Sequence, residues 1–553
     1  MKTLGTASIR CSLIFLLPLV AYAGSATWDL NPTSGNWNTA ANWTPMTVPS
    51  DTATFALSNT TNVSVGFPGV GIDNITFTSA AANSFAITVH GSSTVFNIVG
   101  AGITNNSGII QNFVIKPNSY IVFTNSAAAG SLTHFTNKGI TDFFDSSSAD
   151  NSMFVNDGGA TFFLGRSTAG SATFINAGGV TFFLKDSSAG NGTFINNGGR
   201  VAGAGGAGTF FGGFRFPTES SAGNGTFINN GGRVAGAGGG FTHFDQNSTA
   251  DSCTLIANGG SNGGDGGMIA FRDRSVGDIS RVELFGNGSL DISAHDAPGV
   301  TIGSVEGDGN VFLGANTLTV GSNNLSTTFS GVIQNGAFGS GGSLTKIGLG
   351  TLILSGANTY TGGTKINGGV LQVGGSITSN TFVNYHGTLA GTGTINGNVV
   401  NRGKVMPGDA PGTLTINGDY TQAHSGTLLI DIAGTSAGQF SVLDVLGNAN
   451  LDGFLDPVLL NGFFPSVGDS FTFLNYGSVS GSLFIHIHDP NIDGLAEHWV
   501  VNYLPDHALL IVVPGNVSVP DQGSALFLMV LSLLAVAVYR RSGALAPSAH
   551  MSP

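Results

Sequence analysis

The twenty residues Ser187–Gly206, SSAGNGTFINNGGRVAGAGG, recur without a change as Ser220–Gly239, 33 positions further along the chain. A softer period of twenty leads into them. Phe154, Phe174 and Phe194 fall in register, as do Asn156, Asn176 and Asn196. Thr141, Thr161 and Thr181 share a second phase, followed by Phe143, Phe163 and Phe183. Each unit reads as a Thr-Phe-Ile-Asn strand, a Gly-Gly turn, a second strand built on Thr-Phe-Phe, and a Ser/Ala/Gly corner. In a strand, residues i and i+2 share a face, so Phe174 and Asn176 point one way and Thr173 and Ile175 the other. The repeat is explained if each unit is one coil of a parallel β-solenoid, with equivalent residues stacked about 4.8 Å apart. Phe then forms an aromatic column in a narrow core, and Asn a ladder of side-chain amides at the bend. Gly pairs supply corners with φ > 0. The competing arrangement is an antiparallel sandwich, which would accept the repeats without stacking like on like.

Composition agrees with a long β body. Gly accounts for 86 of 553 residues, charged residues for only 9%, and 39 Phe await burial. Mean hydropathy is +0.24, which is incompatible with a disordered polar chain. Eighteen basic and 31 acidic residues give a net charge of −13. Four of the basics, Lys2, Arg10, Arg540 and Arg541, lie at the ends, so the body between them stands at −17. That sign repels phosphate backbones, and no basic stripe interleaved with aromatics offsets it, so nucleic acid is not an expected partner.

Both ends read as addresses. Residues 1–23 have the pattern of a signal peptide: Lys2 and Arg10, an apolar run over Ser12–Val20, and cleavage at Ala21-Tyr22-Ala23. Removal of Cys11 would leave Cys253 as the sole cysteine, so no internal disulfide is expected. At the other end, Val519-Pro-Asp-Gln-Gly-Ser524 precedes the uncharged run Ala525–Tyr539 and then Arg540-Arg541. As a helix this run reaches about 22 Å and, with tilt or local thinning, enters a membrane with the Arg pair on the cytoplasmic side. Short motif, apolar helix and basic cluster together resemble the PEP-CTERM class of bacterial sorting signals, in its Val-Pro-Asp-Ser-Gly variant. Val519, Pro520, Asp521 and Gly523 match that variant, and Gln522 stands where it has Ser. The resemblance implies recognition by an exosortase, a membrane-embedded cysteine transpeptidase.

A second repeat type lies at Lys346–Gly374, KIGLGTLILSGANTYTGGTKINGGVLQVG. Gly350-Thr-Leu, Leu354-Ser-Gly, Asn358-Thr-Tyr-Thr-Gly-Gly-Thr and Gly368-Gly-Val-Leu-Gln-Val-Gly resemble the autotransporter-associated β-strand repeat, also called the passenger-associated transport repeat. The resemblance implies a right-handed parallel β-helix. Gly391-Thr-Gly-Thr-Ile-Asn-Gly and Pro407–Ile416 fit the same group. The Trp28…Trp37…Trp43 segment also recurs at the start of exported proteins of this kind. Its three Trp are expected to cap the first coil, with a sugar-binding aromatic platform as the alternative.

The expected fold is all-β: a parallel β-helix with a β-rich C-terminal cap and one short C-terminal apolar helix. Its expected divisions are a signal peptide at 1–23, a Trp-rich cap at 24–69 and solenoid repeats at 70–435. Within those repeats the twenty-residue units occupy about 130–260 and the autotransporter-type repeat 344–375. A β cap at 436–513, a linker and sorting motif at 514–523, an apolar helix with its Arg pair at 524–541 and a tail at 542–553 complete the chain.

Signals of chemistry are few. Arg272-Asp273-Arg274, Asp278, Arg281, Glu283, Asp291, His295 and Asp296 crowd a stretch otherwise poor in charge. β-Helix enzymes that cleave polysaccharides use carboxylates on one solenoid face, which makes Asp273, Glu283 and Asp291 the candidate catalytic cluster. Alternating signs describe a solvated face with cross-strand ion pairs equally well. His486 and His488 share a strand face and, with Asp489 or His498, form a weak metal pattern lacking a firmly spaced third ligand. No nucleophile elbow, phosphate loop or paired Cys-x-x-Cys is present, so no catalytic residue, metal or cofactor is expected. The sequence thus reads as an exported, envelope-associated surface protein with a structural, matrix or adhesive role. It would be anchored first through residues 524–539 and possible partners are extracellular polysaccharide or other surface proteins. Alternatives are a β-helix polysaccharide lyase or glycosidase, and a passenger-like fragment of an autotransporter. A complete autotransporter would need a C-terminal membrane barrel of many alternating strands, for which this sequence is expected to have no room.

Overall fold

The structure, a computed structural model, describes residues 24–213, 219–337, 339–488 and 497–514. The signal peptide, the sorting motif, the apolar helix and the Arg pair lie outside the described residues. Among those described there are 49 strands, one single-turn 3-10 helix at Ala40–Asn42 and no α-helix. Two compact units divide the chain between Val399 and Val400.

In the first unit, successive coils stack in parallel. One ladder runs through Ile140–Phe143, Ala160–Phe163, Val180–Phe183, Gly208–Phe211, Phe241–Phe244 and Met268–Phe271. The other runs through Thr133–Asn137, Met153–Asp157, Thr173–Ala177, Thr193–Asn196, Thr226–Asn229, Thr254–Ala257 and Arg281–Leu284. A line of parallel bridges, Ser148, Thr168, Ser188, Ser221, Thr249 and Val276, marks the third side of each coil. Further along, a third ladder forms from Gly299–Ile302, Thr317–Val320, Ser343–Lys346 and Thr364–Ile366. Equivalent residues meet as the period requires: Phe154, Phe174, Phe194 and Phe227 are consecutive partners. The sandwich alternative is thereby excluded.

The 33-residue spacing of the exact repeat is a coil with an excursion. Where Gly158-Gly159 make a two-residue turn between strands, Asn197–Ala207 leave the coil and return. The next copy, Asn230–Gly240, lies against this arm so closely that a Cβ on Gly206 would sit 1.8 Å from the Gly239 carbonyl oxygen. Only glycine permits that approach.

Two aromatic columns fill the core. Phe113, Phe135, Phe154, Phe174, Phe194 and Phe227 stack with centroids 4.3–5.0 Å apart. Phe123, Phe143, Phe163, Phe183, Phe211, Phe244 and Phe271 do so at 4.7–4.8 Å on the facing ladder. The columns meet edge to face, as at Phe183–Phe194, 5.5 Å apart, the geometry that aromatic quadrupoles favour. At the bend each buried Asn donates through Nδ2 to Oδ1 of the Asn one coil on. The chain runs Asn137 to Asn156 (3.0 Å), Asn176 (2.8 Å), Asn196 (2.7 Å) and Asn229 (2.8 Å). Thr161, Thr181, Thr209 and Thr242 hydroxyls add a second donor to each acceptor. Buried amides inside the ladder are thus satisfied by their own repeats, up to its last member Asn229.

Parallel pairing also reaches into both expected caps. Parallel stacking begins before residue 70, since Ala26–Thr27 pair with Ala53–Thr54 and Asn62–Val65 with Ala86–Val89. Trp28, Trp37 and Trp43 are buried among themselves, Phe55 and Phe96, with centroids 5.0–6.1 Å apart. Burial of the indoles removes them as a sugar-binding platform. In the second unit, parallel pairing extends past 435: Thr427–Ile432 lie on Phe454–Leu459, and Val442–Leu451 on Ser470–Gly481. Antiparallel pairing in this unit is found at the Ile432–Phe440 bridge and where Glu497–Tyr503 and His507–Pro514 form a hairpin against Ser470–Asn475.

Candidate functional site

With the core assigned to stacking, function must be carried by outward side chains. On the face of the Thr173-bearing ladder the outward pair is Thr/Ile coil after coil: Thr173/Ile175, Thr193/Ile195, Thr226/Ile228 and Thr254/Ile256. The next two coils substitute Arg281/Glu283 and Ser304/Glu306. Arg281 lies between the carboxylates, its Nε 3.2 Å from Glu283 and its Nη2 2.5 Å from Glu306. The hydrogen bond to Glu306 raises the Arg281 pKa above its ordinary value. Sequence reasoning missed Glu306, 25 residues from its partner; the signal available was the coil register, which places it directly beside Glu283.

The other members of the candidate catalytic cluster are elsewhere. Asp291 lies on the ladder of Met268–Phe271, opposite Ala270, and accepts a hydrogen bond from the Ser293 amide at 2.9 Å. Asp273 sits at a corner with φ of 53° and accepts from the Gln246 amide at 3.0 Å. Glu283 is thus on one ladder and Asp291 on another; the structure does not bring the three carboxylates together. Arg274 pairs with Asp296 at 3.6 Å and Arg272 with Asp245 at 3.9 Å, as the solvated-face reading expects.

His486 stacks on Phe454 at 5.5 Å, and exposed His488 lies 3.5 Å from Asp456. Among the described residues no group of three or more His, Cys, Asp or Glu is close enough to hold a metal. Cys253 is buried, and burial pushes its thiol pKa up, away from nucleophilic character.

One outward column is apolar. Phe162, Phe182 and Phe210 stack at 4.8–4.9 Å, and the next coil places His243 there. Both its ring nitrogens are buried without a hydrogen-bond partner among the described residues. Burial, reinforced by the Arg272 charge, pushes its pKa down from 6.5 to about 3. The unfolded chain therefore takes up a proton near pH 6.5 that the native chain refuses, and His243 costs stability progressively as pH falls toward 3. His243→Phe is expected to raise stability at pH 7 by about 1–3 kcal/mol and by more at pH 5. Thermal unfolding at the two pH values measures both effects.

The second repeat type shows why its motif residues are chosen. Asn358 accepts from the Ile333 amide (2.9 Å) and donates to the Ser376 carbonyl (3.1 Å), tying three coils together. The buried Tyr360 hydroxyl meets Thr364 at 2.6 Å, and Thr364 meets Ser379 at 2.6 Å. Lys346 enters the interior and donates to the carbonyls of Ile347 (2.6 Å) and Gly368 (3.4 Å), its pKa lowered by burial to about 8. Gly356 has no room for a side chain, since its Cβ would lie 2.0 Å from the Gly331 oxygen.

Residues 344–373 match the passenger-associated-transport-repeat family, and residues 518–542 the VPDSG-CTERM motif. An extracellular serine protease of Serratia marcescens is 46% identical over 76 residues, 14% of this chain and 7% of that protein. Another from the same organism is 48% identical over 54 residues, 10% of this chain and 5% of that protein. The adhesin BmaC autotransporter of Brucella suis biovar 1 (strain 1330) is 38% identical over 125 residues, 20% of this chain and 4% of that protein. The chain thus spans less than a tenth of the length of each of these relatives. Among the described residues no helix is long and apolar enough to cross a membrane. The expected apolar helix at 524–541 lies outside them. This chain is an exported, cell-surface β-solenoid protein that carries a passenger-associated transport repeat and a C-terminal sorting motif of the VPDSG-CTERM type.

Proposed function

We propose that the protein is a non-enzymatic structural or adhesive component of the cell envelope. Its C-terminal tail first holds it in the membrane and is then processed by a sorting enzyme of the exosortase kind. The observation that supports this reading best is the interior. Aromatic columns and an amide ladder give cohesion along the stack, while the outward face over the same coils repeats short Thr and Ile side chains. Such a body is a stiff support, suited to holding a surface away from the cell. Separation of Glu283 from Asp291 weighs against the glycosidase or lyase alternative.

Cell fractionation with mass spectrometry of the mature C-terminus tests the sorting half of this proposal. A terminus near Pro520–Gly523 is expected; an intact Arg540-Arg541 in the membrane fraction would replace processing with a plain anchor. Incubation with neutral and acidic glycans tests the other half, and no product is expected. Product formation that disappears in Asp273→Ala, Glu283→Ala or Asp291→Ala would overturn the non-enzymatic reading.

A further inference from the structure

The Arg281/Glu283 and Ser304/Glu306 pairs interrupt an outward Thr/Ile pattern kept by the four coils from Thr173 to Ile256. A Thr/Ile pair recurs once, at Thr351/Ile353, before Val370/Gln372 on the next coil. Arg281 bridges Glu283 and Glu306 on neighbouring coils and adds some cohesion there, but the Thr/Ile coils stack in the same register without such a bridge, so stacking alone does not require the change. At this place the face also opens into a cleft of about 490 Å³, lined by Arg281, Glu283, Glu306, Phe285, Ser326 and Thr328 among others. Phe285 is 40% exposed, in contrast to the fully buried Phe of both core columns.

We propose that this cleft binds a neutral oligosaccharide. The inference rests on the reading of the protein as a surface component and names the chemistry its surface takes up. Two carboxylates face one guanidinium, leaving carboxylate oxygens with spare acceptor capacity toward ligand hydroxyls. Arg281 presents N–H donors beyond those it gives Glu283 and Glu306, suited to hydroxyl and ring oxygens. Ser326 and Thr328 can donate or accept, and the exposed ring of Phe285 offers an apolar surface to the C–H groups of a sugar. The surplus negative charge of the trio, on a body already at −17, disfavours uronate or sulfated chains.

Calorimetric titration of the full chain tests this, with neutral α- and β-linked hexose hexamers and a uronate hexamer of equal length. Binding of at least one neutral hexamer is expected, with no measurable binding of the uronate. Glu306→Gln and Phe285→Ala are each expected to weaken binding by about tenfold or more. Asp157→Asn, an exposed change on a different coil, should leave it unchanged. Retention of the wild-type unfolding midpoint establishes that the variants fold. Absence of neutral-hexamer binding up to about 10 mM, or binding indifferent to both variants, or preference for the uronate, would overturn the cleft. Glycan binding by a chain that never reaches the cell surface would overturn the surface reading and leave the cleft standing. Surface display without glycan binding would do the reverse.

Discussion

Phe194→Ala is expected to destabilise the first unit by about 3–5 kcal/mol, read from the shift in the denaturant midpoint. Phe194 is fully buried, lies between Phe174 at 5.0 Å and Phe227 at 4.8 Å, and meets Phe183 edge to face at 5.5 Å. Truncation removes the ring, two stacked neighbours and one edge contact at once. Because backbone hydrogen bonds hold the flanking coils in register on both sides, they cannot close the void by sliding together. Phe194→Leu retains much of the volume and is expected to cost less than half as much. Phe182→Ala, on the half-buried outward column, should cost less still, although its stacking distances of 4.8–4.9 Å are the same. A solenoid that treats Phe182 and Phe194 alike would show that ring stacking, and not burial, sets the stability. In a stack of coils each coil contacts only its neighbours, so the loss should also appear as local exchange of backbone amides near Thr193–Asn196.

Much of this was readable in the residues because the fold is periodic. The twenty-residue phase of Phe154, Phe174 and Phe194 fixes both the side chain's face and its partner, so register follows from counting. The Asn ladder follows from the same count, since an inward amide is tolerable only when the next coil answers it. Where the period breaks, legibility ends. Asn197–Ala207 lengthens a coil without changing its strands, and counting alone does not say whether extra residues leave the stack or end it. Parallel pairing inside the expected caps, before 70 and after 435, was not legible for a related reason: irregular strands still pair in parallel when their backbones reach, whatever their side-chain pattern. Proximity in sequence misled the choice of carboxylates. Asp273, Glu283 and Asp291 are close along the chain yet occupy different sides of the coil, whereas Glu283 and Glu306 are neighbours because they are one coil apart. In a solenoid the relevant distance is the residue number modulo the coil length.

The amide ladder has a direction, and that makes its interior and its end unequal. Asn176 donates to Asn196 Oδ1 (2.7 Å) and to the Gly208 carbonyl (3.2 Å), and accepts from Asn156 (2.8 Å) and Thr181 (3.1 Å). Asn176→Ala strands partners on both neighbouring coils, and each buried unsatisfied group costs about 1–3 kcal/mol, so a loss of about 3 kcal/mol or more is expected. Leucine at this position recovers volume but none of the bonds, and should rescue little. Asn229 closes the ladder: it accepts from Asn196 (2.8 Å) and Thr242 (2.9 Å), while its Nδ2 has no partner among the described residues, because the next coil places Ala257 there. Aspartate keeps the acceptor and deletes the donor. Asn176→Asp should therefore be the more damaging change, setting a carboxylate against the Asn196 and Gly208 oxygens with no proton between them. Asn229→Asp loses a donor that was idle and keeps both incoming bonds. Denaturation of the two variants at pH 7 measures the difference directly, and equal losses would mean that the ladder's hydrogen bonds do not run one way.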